Sequence, residues 1–250
     1  MPSVMGVAFW TAKRGNREDE WEDSFALDEA FGRFAVADGA SSSSKAAMWA
    51  AALTHGFLAD PFDVGSTEAF DSWVARRSAQ FELEHPPSNE EDVTPDNWYA
   101  HAASRDHGFA TFVGVQFGET SSGSACRWIG VGDACLFHVR GGVLVHLTPN
   151  LKADDFGTFP DLISTNEEHR EQAVTAAFHG SSLVNEGDAV MLVSDALAEW
   201  ALKTAETDPE VWGVLTDLDT TTFDRLVADL RDADEIVNDD VTFLRCQVMK

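Results

Sequence analysis

Four apolar runs in this sequence meet an aspartate at one end. Phe34–Ala37 runs into Asp38-Gly39, Trp128–Gly132 into Asp133, and Val190–Ser194 into Asp195, while Asn238-Asp239-Asp240 precedes Val241–Leu244. Short apolar runs of this kind are candidates for buried strands. A sheet would fix each carboxylate at a strand end, where several can converge. Anions gathered in one pocket repel one another and call for a cation, and Asp oxygens select hard ions such as Mg²⁺ or Mn²⁺. Two such ions can activate a bridging water and neutralise a phosphoryl group. A single Asp-Gly is also an ordinary turn, and a single strand-end Asp an ordinary helix N-cap. It is the recurrence that points to a site.

Other chemistries lack their residues. The chain has no G-x-x-x-x-G-K-[ST] loop, no G-x-S-x-G elbow, no H-E-x-x-H and no EF-hand loop. Gly130-Val131-Gly132 has no third glycine, so it is no dinucleotide fingerprint. The eight histidines are scattered, with His138 and His146 in strand-like stretches, and none receives a role. Cys126, Cys135 and Cys246 form no C-x-x-C pair, which argues against a disulfide scaffold or a zinc ribbon and predicts buried, reduced thiols. Over 250 residues, 17 Lys+Arg against 43 Asp+Glu give a net charge of −26. That charge repels phosphate backbones and no basic cluster relieves it, so nucleic acid is not an expected partner. A hydrophobic content of 44% is too high for a disordered acidic chain. No run approaches the ~18 apolar residues of a membrane helix. Residues 1–10 have no basic n-region of a signal peptide. The expectation is a cytoplasmic protein without a membrane partner.

The elements that must position the acids come in blocks. Strands are predicted over 4–12, 24–27 and 33–37. Helices follow over 44–58, with Ala46, Trp49, Ala50, Leu53 and Phe57 on one face, and from an N-cap at Ser66 to about Glu84. Thr94-Pro95 opens a third helix through Tyr99 and Ala103. Strands return over 110–117, 125–131 and 135–139, and Gly141-Gly142 marks a hairpin to 144–147. A buried strand over 189–193 precedes helices over 197–204, 210–215 and 223–230, and the chain closes on a strand over 241–248. Residues 84–96 and 152–166 read as surface loops. Blocks of strands and helices favour antiparallel sheets packed with helices over a doubly wound parallel sheet.

Taken in order, Glu22-Asp23-Ser24, Ala37-Asp38-Gly39, Gly130-Val131-Gly132-Asp133, Val193-Ser194-Asp195 and Asn238-Asp239-Asp240-Val241-Thr242 resemble the metal-dependent protein phosphatases of type 2C. Gly108-Phe109-Ala110-Thr111 and Leu144–Thr148 match further strands of that family, so the resemblance spans almost the whole chain. It implies one α+β domain over 1–250, a four-layer α-β-β-α sandwich with two antiparallel sheets flanked by helices. It implies that Asp38, the Gly39 carbonyl, Asp195 and Asp239 hold two Mg²⁺ or Mn²⁺ ions. Glu22 and Asp23 would act as ligands or on the metal waters, and Asp133 with Asp195 would serve a third ion. The substrate would be a phosphoserine or phosphothreonine protein. Arg17, with Arg14 as the alternative, would bind its phosphate. The acids are kept where their neighbours depart from the family: Ala40-Ser41-Ser42 follows Asp38-Gly39 and Ala196 follows Asp195, where the family has glycines, and Ala134-Cys135 follows Asp133, where it has Ser-Arg. The competing expectation is a catalytically silent relative that binds a phosphoprotein or regulatory partner.

Overall fold

The computed structural model describes residues 2–41, 43–86, 107–157 and 160–250. The helix expected over 94–103 lies outside these residues. One sheet has the strand order β1-β11-β10-β6-β7, formed by β1 (Val4–Thr11), β6 (Cys135–Arg140), β7 (Val143–Thr148), β10 (Ala189–Val193) and β11 (Val241–Val248). The other has the order β2-β3-β4-β5-β9, formed by β2 (Ser24–Asp28), β3 (Arg33–Gly39), β4 (Phe109–Thr120), β5 (Gly123–Val131) and β9 (Phe178–Leu183), with the two-residue β8 (Ile163–Ser164) on β4. All pairings within both sheets are antiparallel.

Strand alternation sorts the core into layers. In β3, Phe34 and Val36 join Val113, Val115, Val190, Leu192 and Leu244 between the two sheets. Ala35 and Ala37 face the other way, against Trp49, Leu53, Phe57, Phe70 and Trp73 of α1 (Ala46–Ala59) and α2 (Thr67–Glu84). In β10, Met191 and Val193 face α4 (Asp195–Ala205), α5 (Val211–Asp217) and α6 (Thr220–Asp232) through Leu197, Trp212, Leu215 and Phe223. The result is helices, sheet, sheet, helices, as the sequence implies. Each fully buried aromatic or branched side chain contributes about 1.5–3 kcal/mol to this packing.

The five residues read as one face of α1 are all buried. Ser66 caps α2, accepting the Ala69 N–H at 3.1 Å. Gly141 and Gly142 both have positive φ in the β6–β7 turn, which only glycine adopts freely. The loop expected over 152–166 contains a 3-10 turn, Ala153–Asp155, and β8. Two elements carry little sequence signal: α3 (Glu167–Thr175) buries only Ala173, and β9 is a polar edge strand.

Candidate active site

The inter-sheet layer ends in polar residues of the same alternating series. Phe34 and Val36 lead to Asp38 in β3, Val115 and Val113 lead to Thr111 in β4, and Cys246 and Leu244 lead to Thr242 in β11. Asp38 and Thr111 are direct partners across β3 and β4. The ends of β10 and β11 are tied by the Ser194 N–H on the Thr242 carbonyl at 3.0 Å and the Thr242 N–H on Ser194 Oγ at 2.9 Å. Asp195 then opens α4. Asp133 follows Gly132, whose φ is +90° and where a Cβ would stand 2.6 Å from Thr111 Cγ2. Only glycine lets the chain pass Thr111 there. At Gly39 a Cβ would stand 2.5 Å from the Glu22 carbonyl, so glycine is what brings the Glu22-Asp23 segment against the end of β3.

These ends surround a cavity of about 290 Å³ lined by Asp38, Gly39, Thr111, Asp133, Asp195 and Asp239, among others. A larger groove of about 650 Å³, between the β6–β7 turn and α5–α6, lies at the far end of β6 from Asp133 and has Glu210 and Asp217 in its lining, against the four aspartates of the cavity.

Burial dominates the electrostatics of the cavity. It pushes the Asp23 carboxyl up to about 8, reinforced by the charges of Asp240 and Asp195 and opposed by the Thr242 hydroxyl. It raises Asp38 well above the ordinary carboxylate range, with the charges of Asp23, Asp195 and Asp133 adding to it. Asp195 is pushed up to about 7 by burial and by Asp133 and Asp239, and Asp133 is raised by burial. The charges of Asp23 and Asp195 both act on the Asp38 carboxyl. Like charges gathered in one buried cavity disfavour one another's ionisation, and a cation would relieve that repulsion.

The residues fit a hard cation. Asp23 Oδ2 and Thr111 Oγ1 are buried with no hydrogen-bond partner. The donor set is all oxygen, as Mg²⁺ and Mn²⁺ prefer. Among the described residues no three His, Cys, Asp or Glu side chains already stand as a metal cage.

Of the residues singled out in the sequence, Asp38, Gly39, Asp133, Asp195 and Asp239 meet at the cavity and Asp23 is buried behind Asp38. Glu22 lies beside them, accepting hydrogen bonds from the Ser41 hydroxyl and from Lys13 Nζ. Asp240 faces away from this role: its two oxygens accept the Lys13 and Glu22 N–H groups at 2.8 and 2.6 Å. Arg17 is not brought to the acids. It sits in an exposed turn, held by Asp19 and Glu20, while Arg14 pairs with Asp232. The sequence reading gave no role to Lys13, whose ammonium reaches Glu22 and Asp239. Its only signal was its place two residues beyond β1.

No protein-family model matches the chain, and no curated protein matches it. Solved structures do. The Mycobacterium tuberculosis serine/threonine phosphatase PstP/Ppp aligns with a TM-score of 0.60 at 14% identity, covering 99% of each chain. The catalytic domain of the serine threonine protein phosphatase PstP in complex with two manganese ions aligns with a TM-score of 0.56 at 17% identity, again over 99% of each chain. The PPM Ser-Thr phosphatase MsPP from Mycobacterium smegmatis, in complex with cacodylate, aligns with a TM-score of 0.55 at 20% identity, over 99% of this chain and 100% of that one. The chain therefore has the fold of the PPM, or type 2C, phosphatases from end to end.

Proposed function

We propose that the chain is a metal-dependent phosphoprotein phosphatase acting on phosphoserine or phosphothreonine, working as one domain over 1–250. The observation that carries this reading is the convergence of Asp38, Asp133, Asp195 and Asp239 on one cavity, with Asp23 buried behind it. The fold shared with a two-manganese phosphatase supports it. Asp38, the Gly39 carbonyl, Asp195 and Asp239 would hold two Mg²⁺ or Mn²⁺ ions, with Glu22 and Asp23 beside them and Asp133 available to a third. When bound, the ions supply the charge that neutralises a phosphoryl group and activates a bridging water.

The chain's own residues do the rest. The Thr111 hydroxyl lacks a partner in the cavity wall and can turn toward a ligand or water. Asp240, by holding the Lys13 and Glu22 backbones, fixes the approach of the first loop to β11. Burial keeps the carboxyls out of bulk water, which strengthens their hold on any cation that replaces their protons.

One observation favours a second reading, a silent phosphoprotein-binding module: Glu22 is already engaged by Ser41 and Lys13. Hydrolysis of a chromogenic phosphomonoester separates the two. Turnover should require added Mn²⁺ or Mg²⁺, stop with EDTA, and fall at least about a hundredfold in Asp38→Asn. Absence of metal-dependent turnover in the wild-type protein would leave the silent module.

A further inference from the structure

Lys13 is placed at the cavity by a built framework. Its N–H donates to Asp240 Oδ1 at 2.8 Å, and the Arg14 N–H donates to Asn238 Oδ1 at 2.8 Å. Arg231 donates to the Ala12 carbonyl at 3.0 Å and to the Asp239 carbonyl at 2.7 Å. The root of Lys13 is thus pinned against the loop that carries Asp239. From there its ammonium stands 3.4 Å from Glu22 Oε2, 3.8 Å from Asp239 Oδ1 and 3.2 Å from Ser41 Oγ. These partners come from three separate segments. A lysine side chain is ordinarily an ammonium at neutral pH, so the contact brings a positive charge to these oxygens.

We propose that Lys13 is a resident counter-ion of the cavity, competing with a divalent cation for Glu22 and Asp239, so that metal loading displaces the ammonium. This rests on reading the cavity as a metal centre. The ammonium and a metal ion draw on the same carboxylate oxygens, which cannot serve both fully. The coupling between them is reciprocal: whatever the ammonium gains from Glu22 and Asp239 is subtracted from metal binding. A lysine suits the task, because its compact charge rides on a flexible four-carbon stem. At 25% exposure the side chain has a way out to solvent. Without metal, the ammonium offsets part of the repulsion among the acids. With metal, it is released at the rim.

The test compares Mn²⁺ binding by calorimetry in the full chain and in Lys13→Met. The variant should bind at least one Mn²⁺ about fivefold or more tightly than wild type. In EDTA it should have the lower Tm, and it should show the larger rise in Tm on adding Mn²⁺. Lys13→Gln, which keeps a donor without the charge, should follow Lys13→Met, and Lys13→Arg should follow wild type. Wild-type Mn²⁺ binding that is unchanged or weakened in both Lys13→Met and Lys13→Gln overturns the competition while leaving the metal centre standing. A wild-type chain that neither binds Mn²⁺ nor gains Tm from it overturns the metal centre itself and the competition with it.

Discussion

The molecule buries aspartates in two places and treats them in opposite ways. Asp188, just before β10, is almost wholly buried and fully partnered. Arg140 donates to both its oxygens at 2.9 and 2.7 Å, His138 Nε2 lies at 2.8 Å and the Asn185 N–H at 2.8 Å. Burial pushes the Asp188 carboxyl up, but the Arg140, Asn185 and His138 hydrogen bonds outweigh it and hold the group below the ordinary value. In the cavity the same burial wins, and Asp23, Asp38 and Asp195 are all raised. A fold that satisfies one buried carboxylate so completely has the means to satisfy others. Those left short of cations mark the place where something else is to bind.

The largest effect expected from this contrast is on stability. Asp188→Ala leaves Nε2 of the buried His138 without its partner and removes two of the three hydrogen bonds of Arg140, so it should destabilise by about 3 kcal/mol. Denaturant unfolding in EDTA measures it. A loss under about 1 kcal/mol would mean that the network is no more than a surface ion pair.

A smaller effect separates the two places by pH. Asp23 and Asp195 have folded pKa values of about 8 and about 7, above the ordinary carboxylate value. Such groups stabilise the fold most below that ordinary value, and the contribution is lost as pH rises through the folded pKa. The metal-free protein should therefore lose Tm as pH rises from about 5 to about 8. Asp188, with its lowered pKa, works the other way: its contribution is present above the ordinary value and is lost as pH falls below it. The net charge of −26 adds a background slope of the same sign as the cavity. Asp23→Asn should flatten the slope at constant salt, whereas an unchanged slope would assign all of it to the background.

The sheets were legible because their signals are local. The run Ala189–Val193 is apolar at every position, and as the middle strand of its sheet it is buried at every position. The acids were legible because each ends such a run. What stayed hidden depends on tertiary placement. The β9 sequence Phe178–Leu183 is polar because it lies at a sheet edge, and α3 fully buries only Ala173, with Val174 half-buried beside it. The alternation that carries Val113 to Thr111 and Leu244 to Thr242 is present in the sequence, but only the packed sheets show that both hydroxyls stop at the cavity end of the inter-sheet layer. Proximity in sequence favoured Arg17 over Lys13 beside Glu22. The structure reverses that order, because residues 14–20 turn outward and Asp240 draws Lys13 in.

The smallest expected effect sets two arginine–aspartate pairs side by side. Arg17 meets Asp19 at 2.9 Å and Arg140 meets Asp188 at 2.7 Å, so distance hardly distinguishes them. Burial does. The Arg17 and Asp19 side chains are 75% and 69% exposed, whereas Asp188 is 2% exposed. In water the attraction of the exposed pair is screened, and holding two long side chains together costs entropy. Arg17→Ala should therefore change stability by less than about 0.5 kcal/mol. It should also leave KM for a phosphomonoester and inhibition by free phosphate as they are, since none of the contacts of Arg17 is with a cavity acid. Steady-state kinetics on the Mn²⁺-loaded protein decides the matter. A clear rise in KM for Arg17→Ala would show that the turn at 14–20 folds inward when phosphate arrives, and would assign to Arg17 the phosphate-binding role expected of it from the sequence.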